Sequence, residues 1–281
     1  MHVISRSFAA RMLAVVLLLT ALCAPGARAA PAPAPTPTPA TVAPGTVLVT
    51  GSSRGIGFEL VRQYTEAGWN VIATARKPQE AARLVELAGR HPKLRLEALD
   101  VTDGASVAAL RDRLAGTPID VLINNAGDTD GFRGQSLGSL DHARFGYMME
   151  LNAHGPIRVA EALLPNVEAS GQKKILTVSS LAGSMGARGG GMPGGYWYKA
   201  SKAALNMLVL SMAADLKARG VLVAALSPGQ VDTQGYAARG IVMPGSTDIG
   251  ISVTGLRKVI AELTPAQSGT FIRYSGEPQP W

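Results

Sequence analysis

The chain of 281 residues predicts an α/β protein built on a doubly wound, seven-stranded parallel sheet. Three observations predict it: seven short apolar runs rich in β-branched residues, longer stretches of helical period between them, and a glycine-rich turn joining the first run to the first helix. In such sheets ligands bind beyond the carboxyl ends of the strands, so chemistry is expected there.

The expected strands are 46–50, 69–74, 94–99, 119–123, 174–179, 221–226 and 270–274, with about six helices between them. No internal repeat interrupts the pattern, and a single domain over 46–281 accounts for it. A hydrophobic content of 47% is enough to fill its core.

The residues ahead of this domain read differently. Arg6 and Arg11 precede the apolar run Met12 to Ala24, and Ala27-Arg28-Ala29 has the small-x-small spacing of a cleavage site. Residues 1–30 are therefore expected to be a signal peptide, and the mature protein to be exported, to the periplasm. A run of 13 residues is shorter than the roughly 20 that a helix needs to cross a bilayer, so no stable span is expected after cleavage.

The single cysteine, Cys23, lies in that run behind a bulky Leu22, a poor lipoprotein box. A lipoprotein is thus a weaker alternative, as is a cytoplasmic product from a misassigned start. Without Cys23 the mature chain has no thiol, which excludes disulfides and a cysteine nucleophile. Residues 31–45, PAPAPTPTPATVAPG, form an extended spacer.

Composition removes other classes. Three charges of the net +7 belong to the leader arginines Arg6, Arg11 and Arg28, and the other basic residues are scattered. With no basic stripe and no recognition motif, nucleic acid is not an expected partner. His91, His142 and His154 lack metal-ligand spacing, so no metal site is expected.

The turn after the first strand reads Thr50-Gly51-Ser52-Ser53-Arg54-Gly55-Ile56-Gly57 and runs into FELVRQYTEAG. Glycines let backbone approach a pyrophosphate, and a helix N-terminus offers it unpaired N–H groups, which makes this a dinucleotide site of the Rossmann type. The second strand ends in Ala73-Thr74-Ala75-Arg76-Lys77, with no acid to meet a ribose 2′-hydroxyl. Arg76 and Arg54 suit a 2′-phosphate instead, so NADP(H) is expected over NAD(H).

Together with Leu99-Asp100-Val101 and Asn124-Asn125-Ala126-Gly127, the glycine spacing resembles the short-chain dehydrogenase/reductase family. VIATAR, LDVTD, GGYWYKASKAALN and the tail SGTFIRYSGEPQPW are similar to its C-factor and sniffer-type carbonyl reductases. The resemblance implies that Asp100 and Val101 flank the adenine, and that Asn124, Ala126 and Gly127 line the cofactor and brace the central strand. It also implies a catalytic tetrad of Asn152, Ser180, Tyr198 and Lys202. In Ser227-Pro228-Gly229-Gln230-Val231-Asp232-Thr233, Pro228 and Gly229 form the family's turn, Val231 lies near the carboxamide and Thr233 near the phosphates.

Reduction of a carbonyl by hydride needs a proton for its oxygen, and a free tyrosine of pKa about 10 supplies it poorly. Lys202 follows Tyr198 by four residues, on the same helical face, and its ammonium, helped by the positive nicotinamide, is expected to lower that pKa. Ser180 would hold the substrate oxygen, and Asn152 a water that resupplies protons through Lys202. Tyr196 lacks a cation at its own i+4 position, and Trp197 is expected to pack or to wall the substrate.

The glycine-rich loop 183–195 is expected to move and to cover the pocket, and the loop 234–250 to form another wall. The expected activity is hydride transfer between nicotinamide and a small carbonyl or alcohol substrate, in a possible homo-oligomer. The alternative is a C-factor-like signalling or nucleotide-binding protein on the same fold.

Overall fold

Valine, isoleucine and leucine dominate the runs that pair into the sheet, as they must when both sheet faces are covered. The computed structural model describes residues 44–191, 193–233 and 245–281. The expected leader, nearly all of the spacer and residues 234–244 of the expected substrate wall lie outside the described residues.

The strands are β1 (Thr46–Val49), β2 (Asn70–Ala75), β3 (Leu94–Ala98), β4 (Val121–Asn124), β5 (Lys174–Val178), β6 (Leu222–Ser227) and β7 (Thr270–Arg273). They form one sheet of order β3-β2-β1-β4-β5-β6-β7, parallel at every pairing. The order turns back on itself between β1 and β4, where the doubly wound topology opens a crevice. Val47 of β1 registers with Val71 on one side and Val121 on the other.

The helices are α1 (Gly55–Glu66), α2 (Ala82–Arg90), α3 (Gly104–Arg113), α4 (Ala143–Met149), α5 (Gly155–Glu168), α6 (Tyr196–Leu216) and α7 (Ile249–Glu262). A π-turn, Glu150–His154, joins α4 to α5, which gives the six helical segments that the sequence predicts. Side-chain alternation along β1 splits the core in two. Val47 and Val49 pack with α1, α2 and α7, while Leu48 packs with α3, α5 and α6. Among the described residues, no helix is long and apolar enough to cross a membrane.

The fourth strand starts later than expected, because Ile119 gives its N–H to the carbonyl of Asn166 on α5. The buried Asn166 amide also donates to the carbonyls of Leu114 at 2.6 Å and Thr117 at 2.8 Å. One side chain thus ties the end of α3 to the approach to β4. Asn166→Ala would remove both bonds, leaving the Leu114 carbonyl only the Thr117 N–H, and lower stability by about 2 kcal/mol, measurable as a reduced urea midpoint with an unchanged slope.

Candidate active site

The turn from β1 to α1 packs without side chains in the way. A Cβ on Gly57 would lie 2.2 Å from the Gly51 carbonyl oxygen, and Gly51 itself has φ +68°, a conformation that suits glycine. Thr50 fixes the turn from behind, its hydroxyl accepting the N–H groups of Asn125 and Ala126 at 3.0 Å each. The Asn125 amide donates to the carbonyls of Thr50 at 2.9 Å and Gly51 at 3.1 Å.

The helix that follows begins at Arg54 with no side-chain cap and no acid in its first turn. Its first N–H groups and positive dipole end therefore face the crevice, which fits an anionic pyrophosphate.

A cleft of about 360 Å³ runs along these strand ends. Gly51, Ser53, Arg54, Gly55, Ile56 and Gly57 line one part, with Arg76 from β2 and with Asp100 and Val101 after β3. Ala126, Gly127, Ser180, Tyr198 and Lys202 line another, with Pro228, Gly229, Val231 and Thr233 after β6. Asp100 is held below the usual carboxylate range: burial opposes its charge, but bonds from the Thr102 hydroxyl and N–H and the charge of Arg76 outweigh that. The Pro228 carbonyl is fixed by the buried Ser252 hydroxyl at 2.7 Å, and Thr233 lies beside Gly55.

Asn124 departs from the expectation. Its side chain is buried at the end of β4, makes no hydrogen bond among the described residues, and does not line the cleft. Strand alternation turns Asn124 into the sheet layers and hands the bracing role to Asn125, one residue on.

The other expected groups converge from three elements. Ser180 follows β5, Tyr198 and Lys202 lie on α6, and Asn152 sits in the π-turn. The Lys202 ammonium is 6.0 Å from the Tyr198 ring centroid and donates to the Val178 carbonyl at 2.9 Å. The Ser180 side chain faces the Tyr198 phenol, close enough to lower its pKa.

The site's own residues, without the positive nicotinamide that the expectation also relies on, do not lower the phenol's pKa. Burial pushes the Tyr198 phenol up, the Ser180 side chain pulls it down, and the Asp128 charge pushes it up again, for a net rise. Burial also lowers Lys202, to about 8. Spacing placed the two side chains on one face, but desolvation governs both groups before any cofactor charge is added.

The Asn152 side chain is held from two sides. Its carbonyl oxygen accepts the Asp128 N–H at 2.9 Å, and its amide donates to the Asp128 carbonyl at 2.9 Å and the Ser201 hydroxyl at 3.0 Å. Both side-chain donor hydrogens are thereby engaged. Asn152 thus ties the segment after β4 to the face of α6 that carries Tyr198 and Lys202.

The loop 183–195 is pinned rather than free over its first half. Ser184 donates to the Pro280 carbonyl at 2.6 Å, and the Gly186 N–H to the Trp281 carbonyl at 2.7 Å. Trp281 in turn stacks on Phe271 of β7, with centroids 5.7 Å apart. Trp197 packs against Phe145 and His142 and donates to the Asp141 carbonyl at 2.9 Å, while Tyr196 is exposed.

Sequence reasoning did not find Asn125, Asp128, Thr129, Tyr147 and Leu151, which also line the cleft. Asn125 adjoins a motif that was read. Asp128 and Thr129 follow the same motif directly, whereas Tyr147 and Leu151 sit in a helical stretch whose pattern does not point to a ligand.

The geometry agrees with what the chain is similar to. The short chain dehydrogenase family model matches residues 45–240. C-signal of Myxococcus xanthus is 39% identical over 164 residues, which cover 58% of this chain and 93% of that protein. The structure of NADPH-bound carbonyl reductase from chicken fatty liver is 32% identical with a TM-score of 0.75, covering 84% of this chain and 98% of that one. The carbonyl reductase Sniffer of D. melanogaster is 25% identical with a TM-score of 0.74, over 84% and 99% of the two chains.

The Lys202 shift has a consequence for stability. Unfolded, this lysine keeps its proton up to about 10.5; folded, only up to about 8, so folding releases a proton between those values and rising pH favours the folded state. Lys202→Met should therefore be more stable than wild type below pH 8. That advantage should shrink by about 3 kcal/mol as pH rises from about 8 to 10.5, read from urea melts of the two cofactor-free proteins across that range.

Proposed function

The chain belongs to the short-chain dehydrogenase family, and from that premise we propose that it is an NADP(H)-dependent carbonyl reductase with Tyr198 as proton donor. The observation that carries this reading is that Ser180, Tyr198 and Lys202 line one cleft with Arg54 and Arg76, the buried phenol's pKa being raised there. A phenol that keeps its proton through the neutral range is set up to donate it, the direction that carbonyl reduction requires.

When bound, NADPH supplies the hydride that the carbonyl carbon accepts. The residues that would hold it are the backbone of Gly51 to Gly57, Arg54 and Arg76 for a 2′-phosphate, and Asp100 and Val101 at the adenosine end. Ser180 orients the substrate oxygen by hydrogen bonding. Tyr198 passes its proton to that oxygen as negative charge develops there, and Lys202 stands behind the ring as the nearby cation.

A second reading, a signalling role on the same fold, rests on the likeness to C-signal. Turnover is favoured because Asn152, Ser180, Tyr198 and Lys202 are all present and brought together by β5, α6 and the π-turn.

Tyr198→Phe removes only the donor oxygen. It should lower kcat for NADPH-dependent reduction of an aromatic aldehyde by 100-fold or more, roughly the lower bound for general acid catalysis, with NADPH affinity retained. Near wild-type turnover in this variant would overturn the assignment. Arg76→Ala should weaken NADPH binding by about tenfold and leave NADH binding unchanged, by fluorescence titration.

A further inference from the structure

The catalytic helix begins without a cap of its own. Its N-cap residue is Gly195, which has no side chain to offer the N–H groups of the first turn. Two of those groups are satisfied by one residue 60 positions earlier in the chain. The Gln135 backbone carbonyl accepts the Tyr196 N–H at 3.2 Å, and the Gln135 side-chain oxygen accepts the Tyr198 N–H at 2.9 Å. The second bond is the one a capping serine would make to the third helical residue. Here that residue is Tyr198.

Gln135 is 1% exposed, and its other side-chain end is also fixed, donating to the Thr129 carbonyl at 2.9 Å. Between Thr129 and Gln135 the backbone makes a left-handed turn: Asp130, Gly131 and Phe132 have φ of 52°, 60° and 59°. Two of these are not glycine, and each costs about 1 to 2 kcal/mol in that conformation. The turn delivers the Phe132 ring edge-on to the Tyr198 ring, with centroids 5.6 Å apart.

The two glycines ahead of the helix make room for this segment. A Cβ on Gly194 would lie 3.0 Å from the Ser136 hydroxyl, and one on Gly195 would lie 3.3 Å from the Phe132 ring. The pair Gly194-Gly195 is therefore a close-approach surface for residues 132–136.

We propose that Gln135 is a positioning residue for catalysis: it caps the catalytic helix from outside and, with Phe132, fixes where the Tyr198 phenol stands relative to Ser180. The assignment rests on Tyr198 being the proton donor, but the position of the phenol can be read without turnover. Loss of the cap frees the first helical turn, and a displacement of about 1 Å at a proton donor is enough to cost a rate factor of tens.

The test compares full-length wild type, Gln135→Met, Gln135→Glu and Tyr198→Phe. Met matches the glutamine in length but offers no comparable acceptor, whereas Glu, kept protonated by burial, still accepts the Tyr198 N–H and donates its hydroxyl to the Thr129 carbonyl. Two readouts are taken: kcat and KM with 4-nitrobenzaldehyde and NADPH, and titration of the Tyr198 phenolate absorbance, isolated by subtracting Tyr198→Phe.

In Gln135→Met, kcat should fall about tenfold with KM for NADPH within about twofold, and Gln135→Glu should recover most of the loss. The Tyr198 titration in Gln135→Met should move down toward the ordinary tyrosine value of 10. Wild-type kcat and an unmoved titration in Gln135→Met would overturn the proposal. So would a loss of kcat, NADPH binding and thermal stability together that Gln135→Glu does not rescue, which is the mark of a folding role alone. If wild type and Tyr198→Phe turn over equally, the carbonyl-reductase mechanism fails, and the titration alone then decides whether Gln135 positions the phenol.

Discussion

The bond from the buried Lys202 ammonium to the Val178 carbonyl is the interaction on which the site depends. It fastens α6 to the carboxyl end of β5, at a point where the helix lies close against the following loop. A Cβ on Gly183 would lie 2.5 Å from the Lys202 carbonyl carbon, so helix and loop touch backbone to backbone at this point. With that contact set, the helical repeat brings Tyr198 to the same face one turn earlier, beside Ser180. One turn later the Asn206 side chain accepts the Ser179 hydroxyl at 2.5 Å and donates to the Gly183 carbonyl at 3.3 Å.

A charge held in such a place is expensive, and burial lowers the Lys202 pKa for that reason. The helix that carries this charge is tied to its surroundings by hydrogen-bonded polar side chains as well as by apolar packing. Asn152, Ser201, Gln135 and Asn206 each bridge α6 to another segment, at positions buried to 4% exposure or less. Buried networks of this kind define one arrangement sharply when every member is satisfied. The geometry of the site is therefore rigid on the α6 side.

Much of the fold was legible because parallel strands buried on both faces are written as continuous β-branched runs, and all seven were found to within about two residues. The glycine turn and the convergence of Ser180, Tyr198 and Lys202 on one cleft were legible because such motifs restrict residue type and spacing. Gln135 was not, since a glutamine in a glycine- and serine-rich loop has no periodicity and its partner is 63 residues away. The glycines of 183–195 misled in another way. They were read as freedom to move, whereas Gly183, Gly186, Gly194 and Gly195 are where backbone or side chains of other segments come close. Composition cannot distinguish a glycine kept for mobility from one kept for contact.

Burial acts on the two ionisable members of the site in opposite directions, and this orders their proton affinities. The phenol rises above its ordinary 10 while the ammonium falls to about 8, so Lys202 is the stronger acid of the two. A phenolate left after donation would recover its proton downhill from that side of the site, whatever path the proton takes. An i,i+4 spacing alone would leave lysine and tyrosine nearly matched. It is the depth at which β5 and Gly183 seat the helix that separates them, so the same contact that positions Tyr198 also orders the proton affinities of the pair.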